Sequence, residues 1–213
     1  MKQMNKIDQL STLNSASYFT KDTLQNVVGG NNKALSANIL RWIENEKLIK
    51  IKKGLYVTRE YFLQCQNKQD YSEFIANILK RPSYLSGEYV LQKYGILSES
   101  VFSFTSVTRK KPRSYNNKFG TYLYSNITDK LFTGYNIISK SGFQIKEATK
   151  TKALFDYLYF RLRTIPEINQ AVINSFRLNL ENFTKTDLIQ LKYFINLLDQ
   201  KKFTNLITYL RET

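Results

Sequence analysis

Two side chains that can hydrogen-bond the edges of nucleic-acid bases, Asn38 and Arg41, lie close together in residues 31–46. An asparagine amide pairs bidentately with adenine and an arginine guanidinium with guanine, and each good pair adds about 1–3 kcal/mol of discrimination. Both residue types are also common on ordinary solvated helix faces. Their meaning therefore depends on the residues around them.

A helix over residues 31–46 would place both side chains on one outward face. Rotation of about 100° per residue from Leu35 gathers an apolar side from Leu35, Ile39, Trp42 and Ile43. The opposite side has small residues that allow close approach, together with Asn38 and Arg41. The predicted DNA contacts on this helix are Lys33, Ser36, Ala37, Asn38 and Arg41.

Three lysines follow in residues 48–57, which alternate between apolar and basic side chains and turn at Lys53-Gly54. This pattern predicts a β-hairpin. We expect its apolar residues to pack on the preceding helices, namely Ile49, Ile51, Leu55 and Val57. Lys50, Lys52 and Lys53 would then project outward, where lysines bind phosphate groups beside a DNA groove.

The elements that would position these side chains begin at Thr20. This residue is predicted to cap one helix, Gly29-Gly30 to form a tight turn, and Asn31 or Asn32 to cap the next helix. The order of helix, turn, helix and basic hairpin in residues 20–58 is the plan of a winged helix-turn-helix, which places one helix in the DNA major groove. This interpretation is favoured over a winged helix that binds a protein.

Composition narrows the function classes. The 213 residues carry 32 Lys+Arg against 17 Asp+Glu, a net charge of +15, so nucleic acid is the expected partner ahead of a membrane surface. The chain has no histidine and a single cysteine, which disfavours histidine-based catalysis and zinc enzymes. We expect no catalytic site, no metal and no cofactor. The lack of a long apolar stretch predicts a cytoplasmic protein without membrane contact.

The predicted fold class is α+β, in two domains. Residues 1–67 would form the DNA-binding winged helix-turn-helix, and residues 71–213 a mixed α+β domain, with a linker near residues 65–70. Alternating β-branched and aromatic residues predict strands over residues 101–108, 119–127, 131–138 and 143–147. Apolar periodicity predicts helices over residues 71–79, 86–94 with Ser86 as its cap, and 149–163, and a helical tail in two pieces over residues 186–210.

A second basic cluster lies between two predicted strands, in a stretch from residue 100 to residue 128 that has no acidic side chain. We expect a loop there that contains Arg109, Lys110, Lys111 and Arg113. Three interpretations stay open: a second contact to the DNA backbone, a contact to RNA or a toxin target, or a solvated hairpin tip. Six nearby aromatic residues are expected to be core rather than base-stacking platforms: Phe102, Phe104, Tyr115, Phe119, Tyr122 and Tyr124.

Four segments resemble the AbiEi family of antitoxins, the transcriptional regulators of type IV toxin–antitoxin systems in phage defence. They are residues 40–43 with 48–57, residues 84–91 with 93–97, residues 105–108 and residues 148–156. The last is close to the family's ATPEKALLD run, with Lys150 and Thr151 in place of its Pro-Glu.

The resemblance implies an N-terminal winged helix, an α+β C-terminal domain and repression of the protein's own operon through inverted repeats in double-stranded DNA. It also implies protection against a nucleotidyltransferase-like toxin without a stable complex. The alternative is an RNA-binding or protein-interaction module.

Overall fold

A computed structural model describes residues 5–211 and has a mixed α+β architecture, as the sequence predicts. Within these residues the helices are α1 (Lys6–Ser11), α2 (Lys21–Val28), α3 (Asn32–Glu44), α4 (Arg59–Gln64), α5 (Lys68–Leu79), α6 (Glu88–Lys93), α7 (Lys150–Leu162), α8 (Gln170–Ser175), α9 (Lys185–Leu198) and α10 (Leu206–Arg211). The strands are β1 (Phe19–Thr20), β2 (Leu48–Lys52), β3 (Leu55–Thr58), β4 (Ser83–Leu85), β5 (Ser103–Thr108), β6 (Arg113–Asn117), β7 (Gly120–Asn126), β8 (Tyr135–Lys140) and β9 (Phe143–Ala148). No helix in residues 5–211 has the length and apolar character needed to cross a membrane.

The predicted helix caps of the first half are confirmed. The side-chain oxygen of Thr20 accepts a hydrogen bond from the Thr23 amide at 3.1 Å, and that of Asn31 accepts one from the Ala34 amide at 2.8 Å. Between α2 and α3, Gly29 has φ of +66°, a left-handed conformation that favours glycine. The turn therefore starts α3 in a fixed direction.

The hairpin β2–β3 belongs to a three-stranded sheet of order β1-β3-β2. Leu48 and Tyr56 pack into the core of α2 and α3. The expectation that the hairpin's other apolar residues pack on these helices is wrong, because they join the larger core of the second half; they are Ile49, Ile51, Leu55 and Val57. The hairpin thus contributes apolar side chains to both cores. The proposed domain division at residues 67–71 stays a prediction.

The second half is built on a six-stranded mixed sheet of order β6-β7-β5-β4-β9-β8. The four predicted strands are present as β5, β7, β8 and β9, although β8 begins at Tyr135, four residues after the predicted start. Two strands lie where none is predicted, β4 and β6. The predicted cap Ser86 is also wrong: the α6 N-cap is Gly87, and the Ser86 hydroxyl donates instead to Asp156 at 2.7 Å.

Aromatic side chains fill the space between this sheet and the helices. Four of the six predicted core aromatics are confirmed as buried: Phe104, Phe119, Tyr122 and Tyr124. Tyr115 is partly buried and meets Tyr124 edge-on at 5.8 Å between ring centroids. Phe102 is an exception, because 90% of its surface is exposed.

A balanced ionic cluster ties α5 to the far edge of the sheet. Glu73 accepts hydrogen bonds from Lys140 at 2.8 Å, Lys93 at 3.1 Å and the Tyr89 hydroxyl at 2.6 Å. Burial alone would raise the pKa of Glu73, but these hydrogen bonds outweigh burial and lower it. Glu147 accepts from Lys93 and lies 3.5 Å from Lys140. Two carboxylates thus neutralise two lysines.

The tail contains the predicted two helical pieces, α9 and α10. A capping box starts α9, in which Asp187 accepts hydrogen bonds from the Thr184 amide at 2.8 Å and from its hydroxyl at 2.7 Å. Lys150 on α7 adds an ion pair to the same carboxylate at 2.8 Å. Burial opposes ionisation, but the hydrogen bonds from Lys150 and Thr184 prevail and lower the pKa of Asp187 to about 2.

Asp187→Asn is therefore expected to remove an acid-dependent part of stability. A carboxyl whose folded pKa lies below its unfolded value of about 3.9 stabilises the fold above that pH, and the contribution is lost as pH falls through the folded pKa. Chemical denaturation of both proteins between about pH 5 and about pH 2.5 should show the wild type losing its advantage. A constant difference across this range would contradict the assignment.

Candidate nucleic-acid interface

The outward face of α3 carries the side chains proposed to contact bases. Lys33, Ala37 and Arg41 are exposed, whereas Ser36 and Asn38 on its flanks are partly buried. The opposite side is buried as predicted, through Leu35, Ile39 and Trp42. Leu40, at the margin, remains 62% exposed. The centre of the face is therefore Lys33, Ala37 and Arg41.

Lys21 joins this face to the turn of the hairpin. Its backbone amide donates to the Gly54 carbonyl at 3.0 Å, while its ammonium donates to the Ser36 hydroxyl at 3.0 Å. Ser36 in turn donates to the Asn32 carbonyl at 2.8 Å. One lysine thus spans the distance between the hairpin turn and α3, so the two elements border one surface. Nothing in the local sequence distinguishes Lys21 from any other first-turn lysine.

The three hairpin lysines do not point in one direction. Lys50 and Lys53 are exposed, as expected for phosphate contacts. The expectation for Lys52 is wrong, because its ammonium turns back and donates to the carbonyl of Leu79, the last residue of α5, at 2.7 Å. A helix C-terminus carries partial negative charge and attracts a cation. Burial, followed by the nearby charges of Arg113, Arg81, Lys110 and Lys80, lowers the pKa of Lys52.

The four residues of the second basic cluster do not lie in one loop, and their surroundings differ. Arg109 lies 3.6 Å from the Asp129 carboxylate and over the Phe132 ring at 5.3 Å. Lys110 and Lys111 are exposed in the turn after β5. The prediction of a loop at Arg113 is wrong, because Arg113 begins the edge strand β6.

Strand β6 runs beside the hairpin. The Asn117 amide donates to the Ile51 carbonyl at 2.9 Å. Between β2 and β6 lies a cleft of about 460 Å³, the two-sheet cleft, whose polar lining residues are Lys50, Lys52, Lys53, Arg113, Tyr115, Asn116, Asn117 and Lys118. Among the described residues that line it, none is acidic. Its charge suits an anion.

No protein-family model matches the chain, and neither does any curated protein.

The chemistry of this surface is that of anion binding and hydrogen-bond recognition. Within residues 5–211, no three cysteine, aspartate or glutamate side chains come together in a way that could hold a metal ion. The exposed cations Lys33, Lys50 and Lys53 can bind phosphate oxygens. Arg41 presents a planar fork of donors, which matches the two acceptors of guanine.

Proposed function

We propose that this protein binds double-stranded DNA in a sequence-specific manner, with α3 as the recognition helix and the β2–β3 hairpin as the wing of a winged helix-turn-helix. The observation that carries the proposal is the bridge through Lys21 between Gly54 and Ser36. It supports the proposal because it brings the hairpin turn near Ser36 on the flank of α3, and a winged helix-turn-helix uses such an arrangement to let a helix enter a groove while a wing contacts the neighbouring backbone.

Affinity and specificity come from different residues in this proposal. Lys33, Lys50 and Lys53 bind phosphates and give affinity for any sequence. Arg41 discriminates through base edges, and Asn38 joins it from the flank of the same helix. The net charge of +15 adds long-range attraction to a polyanion.

We further propose that the protein represses its own operon and serves as the antitoxin of a type IV toxin–antitoxin system. The support is the resemblance of four segments to the AbiEi family, together with the proposed DNA-binding surface. Two copies would occupy the inverted repeats of the operator. The antagonised toxin would be nucleotidyltransferase-like and would form no stable complex with this chain. The site residues require no cofactor for this role.

A binding comparison tests the proposal. Fluorescence anisotropy would be measured with the duplex upstream of the gene, a random duplex of equal length and a single-stranded RNA. We expect the tightest binding to the upstream duplex, and weaker, strongly salt-dependent binding to the random duplex. Preference for the RNA, or equal affinity for both duplexes, would overturn sequence-specific recognition.

Arg41→Ala is expected to reduce discrimination between the upstream and random duplexes by about 1–3 kcal/mol, because a bidentate base contact is lost. The control is Arg41→Lys, which keeps the positive charge but not the planar fork. It should retain affinity for the random duplex and still lose discrimination. If Arg41→Lys discriminates as well as the wild type, Arg41 acts on phosphate alone.

A separate experiment addresses the antitoxin role. The chain would be expressed together with the nucleotidyltransferase-like toxin that the proposal places next to its gene. Growth rescue would be scored for the wild type and for the variant Lys50→Ala with Lys53→Ala. Rescue by a variant that no longer represses would separate the two activities. Failure of the wild type to restore growth would overturn the antitoxin proposal without touching DNA binding.

A further inference from the structure

Five cations converge beside the two-sheet cleft without an ionic partner. They are Lys52, Lys80, Arg81, Lys110 and Arg113. Burial lowers the pKa of Lys52 and of Lys80, and repulsion from the neighbouring cations lowers both pKa values further. Among the described residues, none of the five lies within 4.0 Å of a carboxylate. By contrast, Lys93 and Lys140 are neutralised by carboxylates elsewhere in the same half.

The fold holds these cations together through three separate segments. In the antiparallel pair β4–β5, Ser83 lies opposite Thr108, so the chain before β4 and the chain after β5 emerge side by side. The buried Thr108 hydroxyl donates to the Pro82 carbonyl at 2.7 Å and accepts from the Lys110 amide at 3.2 Å. The hydrogen bond from the Lys52 ammonium to the Leu79 carbonyl brings the β2–β3 hairpin beside these two segments.

Such an arrangement is unfavourable for the free protein. Like charges held close together repel, and partial burial removes the water that would screen them. An anion in the cleft would relieve this repulsion, and its binding energy would add to stability. The cations Lys110, Arg113 and Arg81 are exposed, so a ligand can reach them.

We infer that the two-sheet cleft binds phosphate groups of the DNA duplex beyond the segment that α3 contacts. The inference rests on the proposed function. It is supported by continuity, because Lys50 and Lys53 of the wing line the same cleft as Arg113. A duplex lying against the wing would thus meet β6 next. This gives the second half of the chain a direct part in DNA binding.

The geometry sets the size of the additional contact. Strand β6 has five residues, and its four steps of about 3.3 Å span about 13 Å. That distance equals the axial rise of about four base pairs. About four phosphates of one strand fall within this span, and the three cations Lys80, Lys110 and Arg113 can contact two or three of them, which corresponds to about 2–3 units of salt slope.

Chemical footprinting of lysines in the wild-type protein gives a first test. The protein would be acetylated with and without the upstream duplex, and the protection of each lysine measured by mass spectrometry. Protection of Lys50 and Lys53 reports the wing edge of the cleft, whereas protection of Lys80 and Lys110 reports the cations beside the cleft, before β4 and after β5. Exposed lysines on α9, Lys185 and Lys192, should stay reactive.

Each result is decisive. Protection of both pairs supports the inference. Protection of Lys50 and Lys53 alone overturns the contact beyond the wing, and with it the inference, but leaves the proposed function intact. Absence of protection together with absence of binding overturns both. If single-stranded RNA or the toxin protects Lys80 and Lys110 and the duplex does not, the cleft serves that partner, and the inference is wrong.

A variant with fewer cations measures how much the cleft contributes to the salt dependence of DNA binding. The variant combines Lys80→Gln, Lys110→Gln and Arg113→Gln, and its control combines Lys130→Gln, Lys185→Gln and Lys192→Gln, with the same change in net charge. The upstream duplex would be used in two lengths that differ by about one helical turn at each end. For the longer duplex, the slope of log K against log salt should fall by about 2–3 in the variant only. Equal slopes for variant and control would overturn the inference.

Discussion

Replacement of Lys152 by methionine is expected to lower the free energy of unfolding by about 3–5 kcal/mol, the usual consequence of removing one partner from a buried ion pair. The side chains of Lys152 and Asp156 are both fully buried, and Lys152 Nζ lies 2.7 Å from Asp156 Oδ1. Asp156 Oδ2 accepts hydrogen bonds from the hydroxyls of Tyr84 at 3.0 Å and Ser86 at 2.7 Å. Without Lys152 a buried carboxylate loses its only cation within ion-pair distance among the described residues.

The pH dependence of this loss has a definite sign. Burial already raises the pKa of Asp156 despite Lys152 and its hydrogen bonds, and loss of the lysine would raise it further. A carboxyl with a raised folded pKa favours the folded state at low pH, and this advantage disappears as pH rises from about 3.9 through the folded pKa. The deficit of Lys152→Met should thus be smaller near pH 4 than near pH 7.

A double variant separates the missing charge from the altered packing. Lys152→Met combined with Asp156→Asn buries a neutral pair, and the asparagine oxygen can still accept from Tyr84 and Ser86. Urea denaturation near pH 7 should show the double variant to be more stable than Lys152→Met alone. If both variants are equally unstable, the lysine stem contributes through packing, because a long side chain also buries apolar surface.

The partners of Asp156 illustrate what local sequence does not contain. The helix around Asp156 is predicted correctly from apolar periodicity. Tyr84 and Ser86 come from a segment about seventy residues earlier in the chain. Their assignment requires β4, a three-residue strand that is buried throughout. A strand this short has no alternation long enough to detect.

Edge strand β6 is not predictable from local sequence for a different reason. Its residues Arg113, Ser114, Tyr115, Asn116 and Asn117 are mostly polar, and an asparagine pair normally favours a turn. Polar and charged residues are also what protects a sheet edge from unwanted pairing. Caps and apolar faces depend on neighbours within a few positions and are therefore predictable, as at Thr20 and Asn31. The covering of Lys52 by α5 depends on tertiary packing and is therefore not predictable from the local sequence.

Replacement of both Lys50 and Lys53 by alanine should weaken DNA binding about equally for all sequences. Both lysines are exposed on the hairpin, and each phosphate contact contributes about 0.9 to the slope of log K against log salt. Loss of two contacts should lower the slope by about 1.8 and, at about 0.15 M salt, reduce affinity about 30-fold. Anisotropy titrations with the upstream and random duplexes over a range of salt concentrations would measure both effects.

The control is Lys185→Ala combined with Lys192→Ala, which removes the same charge from exposed positions on α9. We expect this control to lose a little DNA affinity without a change in the slope of log K against log salt, because long-range attraction falls but no phosphate contact is removed. Lys52→Met gives an internal comparison on the same strand. Its ammonium already bonds to Leu79, so its effect should appear in unfolding as well as in DNA binding. If the Lys50/Lys53 variant has the slope of the control, the hairpin does not contact phosphate, and the assignment of a wing fails.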